Sequence, residues 1–254
     1  MDKPTSVISL GYSIFASSLD YLPTKHQTLV NTINQYSYCL AEKDPEFKTS
    51  LKESDVLLPD GVAIVVAVKL IDNTTIKKIA GDDLHLYCLE KLNREHGSCF
   101  YLGSGDKTLD KIKDRVLKEY PNIRVGTFSP PYKPTFTDEE NAEMLEKVNS
   151  FKPDVLFVGM TAPKQEIWSY NFKNQLDAQL ICSIGAVFDF YAGTVRRPSQ
   201  IWIDLRLEWF KRLLNEPKRI WKRYLYFGPV FFKYMIKERY RTGAFNTLKE
   251  SKPL

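Results

Sequence analysis

Val155-Leu156-Phe157-Val158-Gly159-Met160-Thr161-Ala162-Pro163-Lys164-Gln165-Glu166 contains a complete structural unit. Its first half is an unbroken apolar run rich in Val and Phe, the pattern of a strand buried on both faces. Pro163 suits the first turn of a helix, and Glu166 falls where the positive end of a helix dipole favours an anion. A buried strand that runs directly into a helix is half of a parallel crossover. The pattern repeats in both directions. Apolar runs at 7–10, 28–33, 56–58, 99–103, 123–128 and 180–184 read as further strands. Helical periodicity fills the gaps at 36–51, 62–70, 83–95, 108–119, 138–149 and 164–176. The alternation predicts an α/β fold with a mainly parallel sheet and helices on both faces.

The pattern changes after residue 195. Strand signals stop, and helices are expected at 201–214, 217–227 and 229–241, with Pro217 and Pro229 each opening a new helix. The polar residues 242–254 are expected to fray. Charge divides at the same place. Between Arg196 and Arg241 stand 13 Lys/Arg and 4 Asp/Glu, a local charge of +9, which leaves 23 basic and 27 acidic residues, or −4, for the rest of the +5 chain. Trp202, Trp209 and Trp221, three of the four tryptophans, lie in this segment. The expected organisation is a catalytic body over 1–195 and a basic, aromatic helical appendage over 196–254.

Composition excludes several classes. Cys39, Cys88, Cys99 and Cys182 are scattered with no CxxC pair, and His26, His85 and His96 are the only histidines, which argues against a zinc site or a disulfide scaffold. No signal peptide opens the chain, and no run of about 18 apolar residues is present. A cytoplasmic protein is expected. A nucleic-acid partner is not, because no recognised binding module accompanies the basic segment.

In parallel sheets, ligands bind at the carboxyl ends of the strands. The polar residues there are the candidates. Thr32 and Asn34 follow one run, and Asp60 and Gly61 follow another. Asp60 is either a general base or the cap of the next helix. Gly103-Ser104-Gly105 is either an anion cradle at a helix N-terminus or a tight turn, and Thr108 stands where a dinucleotide fingerprint needs its last glycine. Gln165 and Glu166 either contact a base or sugar or only cap their helix. Asp189 lies just past the last strand. Ser129-Pro130-Pro131-Tyr132-Lys133-Pro134 reads as an ordered loop or hinge. The chain has no Asp-x-Asp, so a departing diphosphate would need protein cations. Arg212, Arg219 and Arg223 are the supply, with the last two four apart on one helix face. A solvated basic face is the alternative. The aromatic run from Tyr224 to Ile236 suits a lipid interface, or packing on the body or on a second subunit.

Together these residues resemble the WecG/TagA/CpsF family of glycosyltransferases. The resemblance runs from about Thr32 to Phe232. It is carried by Thr32-x-Asn34, Leu58-Pro59-Asp60-Gly61, Gly81-x-Asp83-Leu84, Pro153-Asp154-Val155-Leu156 and Ala162-Pro163-Lys164-Gln165-Glu166. It continues in Gly185-Ala186-x-Phe188-Asp189 with Ala192-Gly193, Arg197-Pro198, Glu208-Trp209 with Arg212-Leu213, Glu216-Pro217-x-Arg219 and Arg223-Tyr224. The order and spacing of these blocks are specific where each alone is not.

The resemblance implies a Rossmann-like body with a C-terminal helical appendage. It implies transfer of a sugar, often of N-acetylmannosamine type, from a UDP-sugar to an undecaprenyl-diphosphate-linked acceptor for teichoic acid, capsule or exopolysaccharide. No metal or other cofactor is expected. Asp60 would be the general base, with Thr32, Asn34 and Gly61 around it. Lys78, Gly103, Gln165, Glu166 and Asp189 would complete the substrate-binding set. Arg212, Arg219 and Arg223 would meet the diphosphate, and the appendage would dock on the inner leaflet of the cell membrane. Assembly into a homo-oligomer is compatible with such an appendage. Family members commonly carry Arg where Lys78 stands, and Lys brings a point charge rather than a fork. Glycine-based turns common after the fifth strand are replaced here by Ser129-Pro130-Pro131. The competing expectations are a Rossmann-type oxidoreductase and a non-catalytic membrane adaptor.

Overall fold

The computed structural model describes residues 5–23, 27–195, Leu214 and 221–250, with side chains as far as Arg241. Six apolar runs lie side by side in one sheet. They are β3 (Thr28–Ile33), β4 (Val56–Pro59), β5 (Ser98–Gly103), β6 (Arg124–Phe128), β7 (Val155–Gly159) and β8 (Leu180–Ser183). Their order is β4-β3-β8-β7-β5-β6, and every pairing is parallel. This is the α/β, Rossmann-like architecture expected.

Side chains alternate between two faces along each strand. Cys99 and Tyr101 of β5, Val155 and Phe157 of β7 and Cys182 of β8 join one core. That core is covered by α4 (Gly81–Glu95), α5 (Asp106–Glu119) and α8 (Val187–Tyr191). Phe100, Leu102, Leu156 and Val158 face the other way, under α6 (Asp138–Phe151) and α7 (Lys164–Phe172). At the β3–β4 edge Ile33 and Leu57 join a third cluster with α1 (Gln35–Ala41), α2 (Pro45–Lys52) and α3 (Val62–Asp72).

Several elements differ from expectation. The run at 7–10 is half of an antiparallel hairpin, β1 (Ser6–Ser9) and β2 (Tyr12–Phe15), with β2 lying against β4. Leu10 and Gly11 have φ of 55° and 79°, which suits a two-residue turn whose twist matches the strands. The helix expected at 36–51 is two helices. Asp44 accepts the amides of Glu46 and Phe47, and Pro45 has no N–H to continue the first helix.

The break expected between 227 and 229 is absent. A wide turn over Lys222–Tyr226, in which the Phe227 amide reaches back to the Lys222 carbonyl, runs directly into α9 (Phe227–Glu250). The longer bonding step just ahead of Pro229 carries the helix past a residue with no N–H. Beyond 241 the backbone stays helical where fraying was expected. Gly243 does not stop it, and the next proline is Pro253. The expected helix at 201–214, except Leu214, and the start of the next at 217–220 lie outside the described residues, as do Arg212 and Arg219.

Helix α9 is packed on the body. Phe231 and Met235 are buried in the cluster that holds Tyr38, Ile64 and Ala67, and each such burial contributes about 1.5–3 kcal/mol. Tyr38 meets Phe231 and Tyr234 edge-on at 5.3 and 5.7 Å.

Candidate active site at the carboxyl edge of the sheet

The β3 and β4 strand ends are joined by a hydrogen bond. Ile33 pairs with Pro59, and the Asp60 amide donates to the Ile33 carbonyl at 2.9 Å. This sets Asp60 beside Asn34. Thr32, half-buried, pairs with Leu58 one step back. Gly61 has φ 126°, and an added Cβ would lie 3.4 Å from Gln35 Oε1 and 3.5 Å from Asn34 Cβ. A glycine is needed for that backbone and leaves the turn open. Gly61, rather than Asp60, holds the N-cap position of α3. Asn34 is a cap. Its Oδ1 accepts the amides of Tyr36 and Ser37, both at 3.0 Å. The expected pocket residue therefore also starts α1.

The Ile79 amide donates to the Pro59 carbonyl at 3.0 Å, which brings half-buried Lys78 to the same strand end. Asp83 then opens α4 by accepting the Ala80 amide at 2.7 Å.

Arg223 reaches this corner from the C-terminal segment. Its guanidinium carbon lies 4.6 Å from the centroid of the Tyr36 ring, two residues past Asn34. Tyr36 also meets Phe227 edge-on at 5.0 Å. Tyr36 was not a candidate from sequence. Its only signal was its place in the first turn after Asn34.

Across the sheet, Gln165 and Glu166 are both buried at the start of α7. Gln165 Oε1 accepts the Met160 amide at 3.2 Å, and its Nε2 donates to Glu166 Oε1 at 2.9 Å. An added Cβ on Gly185 would lie 3.1 Å from that amide, so the β8 turn rests on it. The amide expected to face substrate thus has internal partners at both its oxygen and its nitrogen. Pro163 holds the N-cap position of α7, and the Glu166 carboxylate also accepts its own backbone amide. Glu166 Oε2 is buried without a partner, and burial pushes its carboxyl up to about 7, against the hydrogen bond from Gln165.

Gly103 serves close packing. With φ 118°, an added Cβ would lie 2.4 Å from the Gly159 carbonyl oxygen. Beyond it, α5 starts at Asp106 with Gly105 as N-cap and no side-chain cap; the Thr108 amide bonds the Gly105 carbonyl at 2.9 Å, so Asp106 and Lys107 carry the amides that an anion would meet. The 129–134 segment is an ordered loop. Ser129 Oγ donates to the Ser104 carbonyl at 2.8 Å, and Lys164 Nζ donates to the Lys133 carbonyl at 2.7 Å. Asp189, half-buried in α8, accepts the amides of Thr194 and Val195 on its own carbonyl, closing the turn that leaves the body.

His85 is a core residue. Its Nε2 meets the Tyr101 hydroxyl at 2.7 Å, and burial holds it neutral by lowering its pKa to about 3. Among the described residues no group of three or more His, Cys, Asp or Glu is placed to hold a metal ion. Among the same residues no helix is long and apolar enough to cross a membrane.

Polar groups gathered at the carboxyl edge of a parallel sheet mark the ligand side of an α/β enzyme. Residues 7–244 match the Glycosyl transferase WecG/TagA/CpsF family, and the chain belongs to it. It is a glycosyltransferase. It is similar to the N-acetylglucosaminyldiphosphoundecaprenol N-acetyl-beta-D-mannosaminyltransferase of Bacillus spizizenii, with 29% identity over 213 residues, 83% of this chain and 80% of the relative. The enzyme of that name from Bacillus subtilis is 29% identical over 81% of this chain and 78% of its own length. The one from Staphylococcus aureus is 28% identical over 78% and 68%.

Proposed function

We propose that the chain transfers a sugar, of N-acetylmannosamine type or a related hexose, from a UDP-sugar to an undecaprenyl-diphosphate-linked sugar at the inner face of the cell membrane. The relatives' names supply the acceptor class and the sugar type. The observations that support the reading are that Asp60 follows the β4 end bonded to the Ile33 carbonyl, next to Asn34, and that Arg223 lies on the ring of Tyr36, two residues further along.

The acceptor hydroxyl attacks the anomeric carbon, and its proton passes to the Asp60 carboxylate. The bond from the anomeric carbon to the diphosphate oxygen breaks, and UDP leaves with the electron pair. Arg223, with Arg212 and Arg219, offsets the charge on the leaving diphosphate, and Lys78 adds a point charge from the same strand end. Thr32 and Asn34 line the acceptor side. The α5 amides after Gly103, together with Asp189, face the donor, while Gln165 and Glu166 shape its floor through the β7 and β8 turns. No metal is used in this scheme, and the basic segment past Arg196 draws the chain to the anionic leaflet.

The test is UDP release in detergent micelles with a panel of UDP-sugars and a diphosphate-linked lipid sugar, with and without EDTA. Acceptor-dependent release that survives EDTA is expected. Release abolished by EDTA and restored by a divalent cation would refute the metal-free scheme. No release and no UDP binding would leave the adaptor reading.

A further inference from the structure

Helix α3 follows Asp60 and Gly61 directly, and its composition does not suit an exposed helix. Its eleven residues, VAIVVAVKLID, contain only Lys69 and Asp72 as polar groups. A helix apolar on all sides belongs in a core or against lipid. Ile64, Ala67, Val68 and Ile71 do face the core. Val62, Val66 and Leu70, spaced four apart on the opposite side, are 37%, 43% and 46% exposed. The stripe is extended by its neighbours. β1 packs against α3, and Ile8 on β1 is 72% exposed. α9 packs against α3, and Arg239 donates to the Leu70 carbonyl. Phe232 and Ile236, on the same side of α9 as Arg239, are also exposed.

We infer that this face, built from β1, α3 and one flank of α9, lies on an anionic lipid bilayer, with the valine stripe of α3 entering the interface and Asp60 held at headgroup level. The choice of lipid over a second copy of the chain rests on charge. Residues 221–241 carry six Lys/Arg and one acidic residue, Glu238. A net basic segment beside an apolar face, with Arg239 set against α3, complements an anionic leaflet and repels an identical face. Trp221 and Tyr240, both exposed on the same helical run, suit the headgroup layer. The purpose of such a face rests on the lipid-linked acceptor proposed above. A carboxylate two residues ahead of a membrane-seated helix meets a sugar that cannot leave the surface.

The test needs no sugar donor, so its failure is distinct from failure of the transferase reading. The full chain is sedimented with phosphatidylglycerol/phosphatidylethanolamine vesicles and with phosphatidylcholine vesicles. Val66→Glu and Leu70→Glu are expected to weaken binding to the anionic vesicles at least about tenfold. Leu117→Glu, an exposed position on α5 across the sheet, should leave binding unchanged. All four native cysteines are buried, so Val66→Cys and Leu117→Cys take a thiol-specific fluorophore selectively. Quenching by doxyl lipid at position 66 and not at 117 is expected, and this readout does not depend on how the charged variants fold. Equal quenching at the two positions, or unchanged binding by Val66→Glu, overturns the inference. So does a fall in molar mass on Val66→Glu with vesicle binding intact, which would assign the face to a second copy.

Discussion

Glu166→Gln should stabilise the protein above neutral pH and leave it nearly unchanged in acid. The native carboxyl is buried, one oxygen has no partner, and its pKa is raised from 4.5 to about 7. Between those two values the folded chain holds a proton that the unfolded chain has lost. Stability therefore falls as pH rises from about 4.5 to about 7 and then levels off. At about 1.36 kcal/mol per pKa unit the full cost is about 3 kcal/mol. Glutamine has the shape of the protonated acid and keeps the oxygen that accepts from Gln165 Nε2. The variant should match wild type near pH 4.5 and gain up to about 3 kcal/mol by pH 8. For a chain of this size that is roughly 6–12 °C in melting temperature. The assay is urea unfolding of both proteins at intervals from pH 4.5 to 8.5, read as the difference between them so that all other groups cancel. A difference constant across that range would mean that Glu166 is ionised and satisfied in the fold, and the burial argument would fail.

Other expectations concern the strand ends. Asp60→Asn should bind UDP nearly as wild type does and turn over about 10²–10⁴-fold more slowly, measured by acceptor-dependent UDP release; near-normal turnover removes Asp60 from the role of base. Tyr36→Ala should free Arg223 from its ring contact and lower kcat/KM roughly tenfold, while Tyr36→Phe keeps the ring face and most of the activity. Equal effects from the two would show that the hydroxyl, not the ring, matters. Gly103→Ala should cost about 3 kcal/mol or more, because its Cβ would lie 2.4 Å from a carbonyl oxygen at φ 118°, and a melting curve within about 1 kcal/mol of wild type would contradict the packing seen there.

Local sequence determined the sheet. Continuous apolar runs such as Leu156-Phe157-Val158 have few alternatives to a buried strand, and a proline or a capping side chain marks where helices such as α1, α2, α6 and α7 begin. The position of Asp60 at a strand end was legible for the same reason, since Leu57-Leu58-Pro59 must stop somewhere and a charged residue stops it. Single-residue backbone effects were harder to see. Pro45 broke a helix that the periodicity carried through, and Pro229 failed to break one because the turn ahead of it widened. The partners of the site residues required the tertiary structure. The bonds of Gln165 to Met160 and Glu166 are formed only where the β7 and β8 turns approach each other. Arg223 reaches Tyr36 because α9 packs on α1 across nearly two hundred residues of intervening chain, and no local pattern encodes that distance. Periodicity reports which side of an element is apolar. Which element covers that side, and which stripe, such as Val62, Val66 and Leu70, stays uncovered, is settled only when all the faces are assembled.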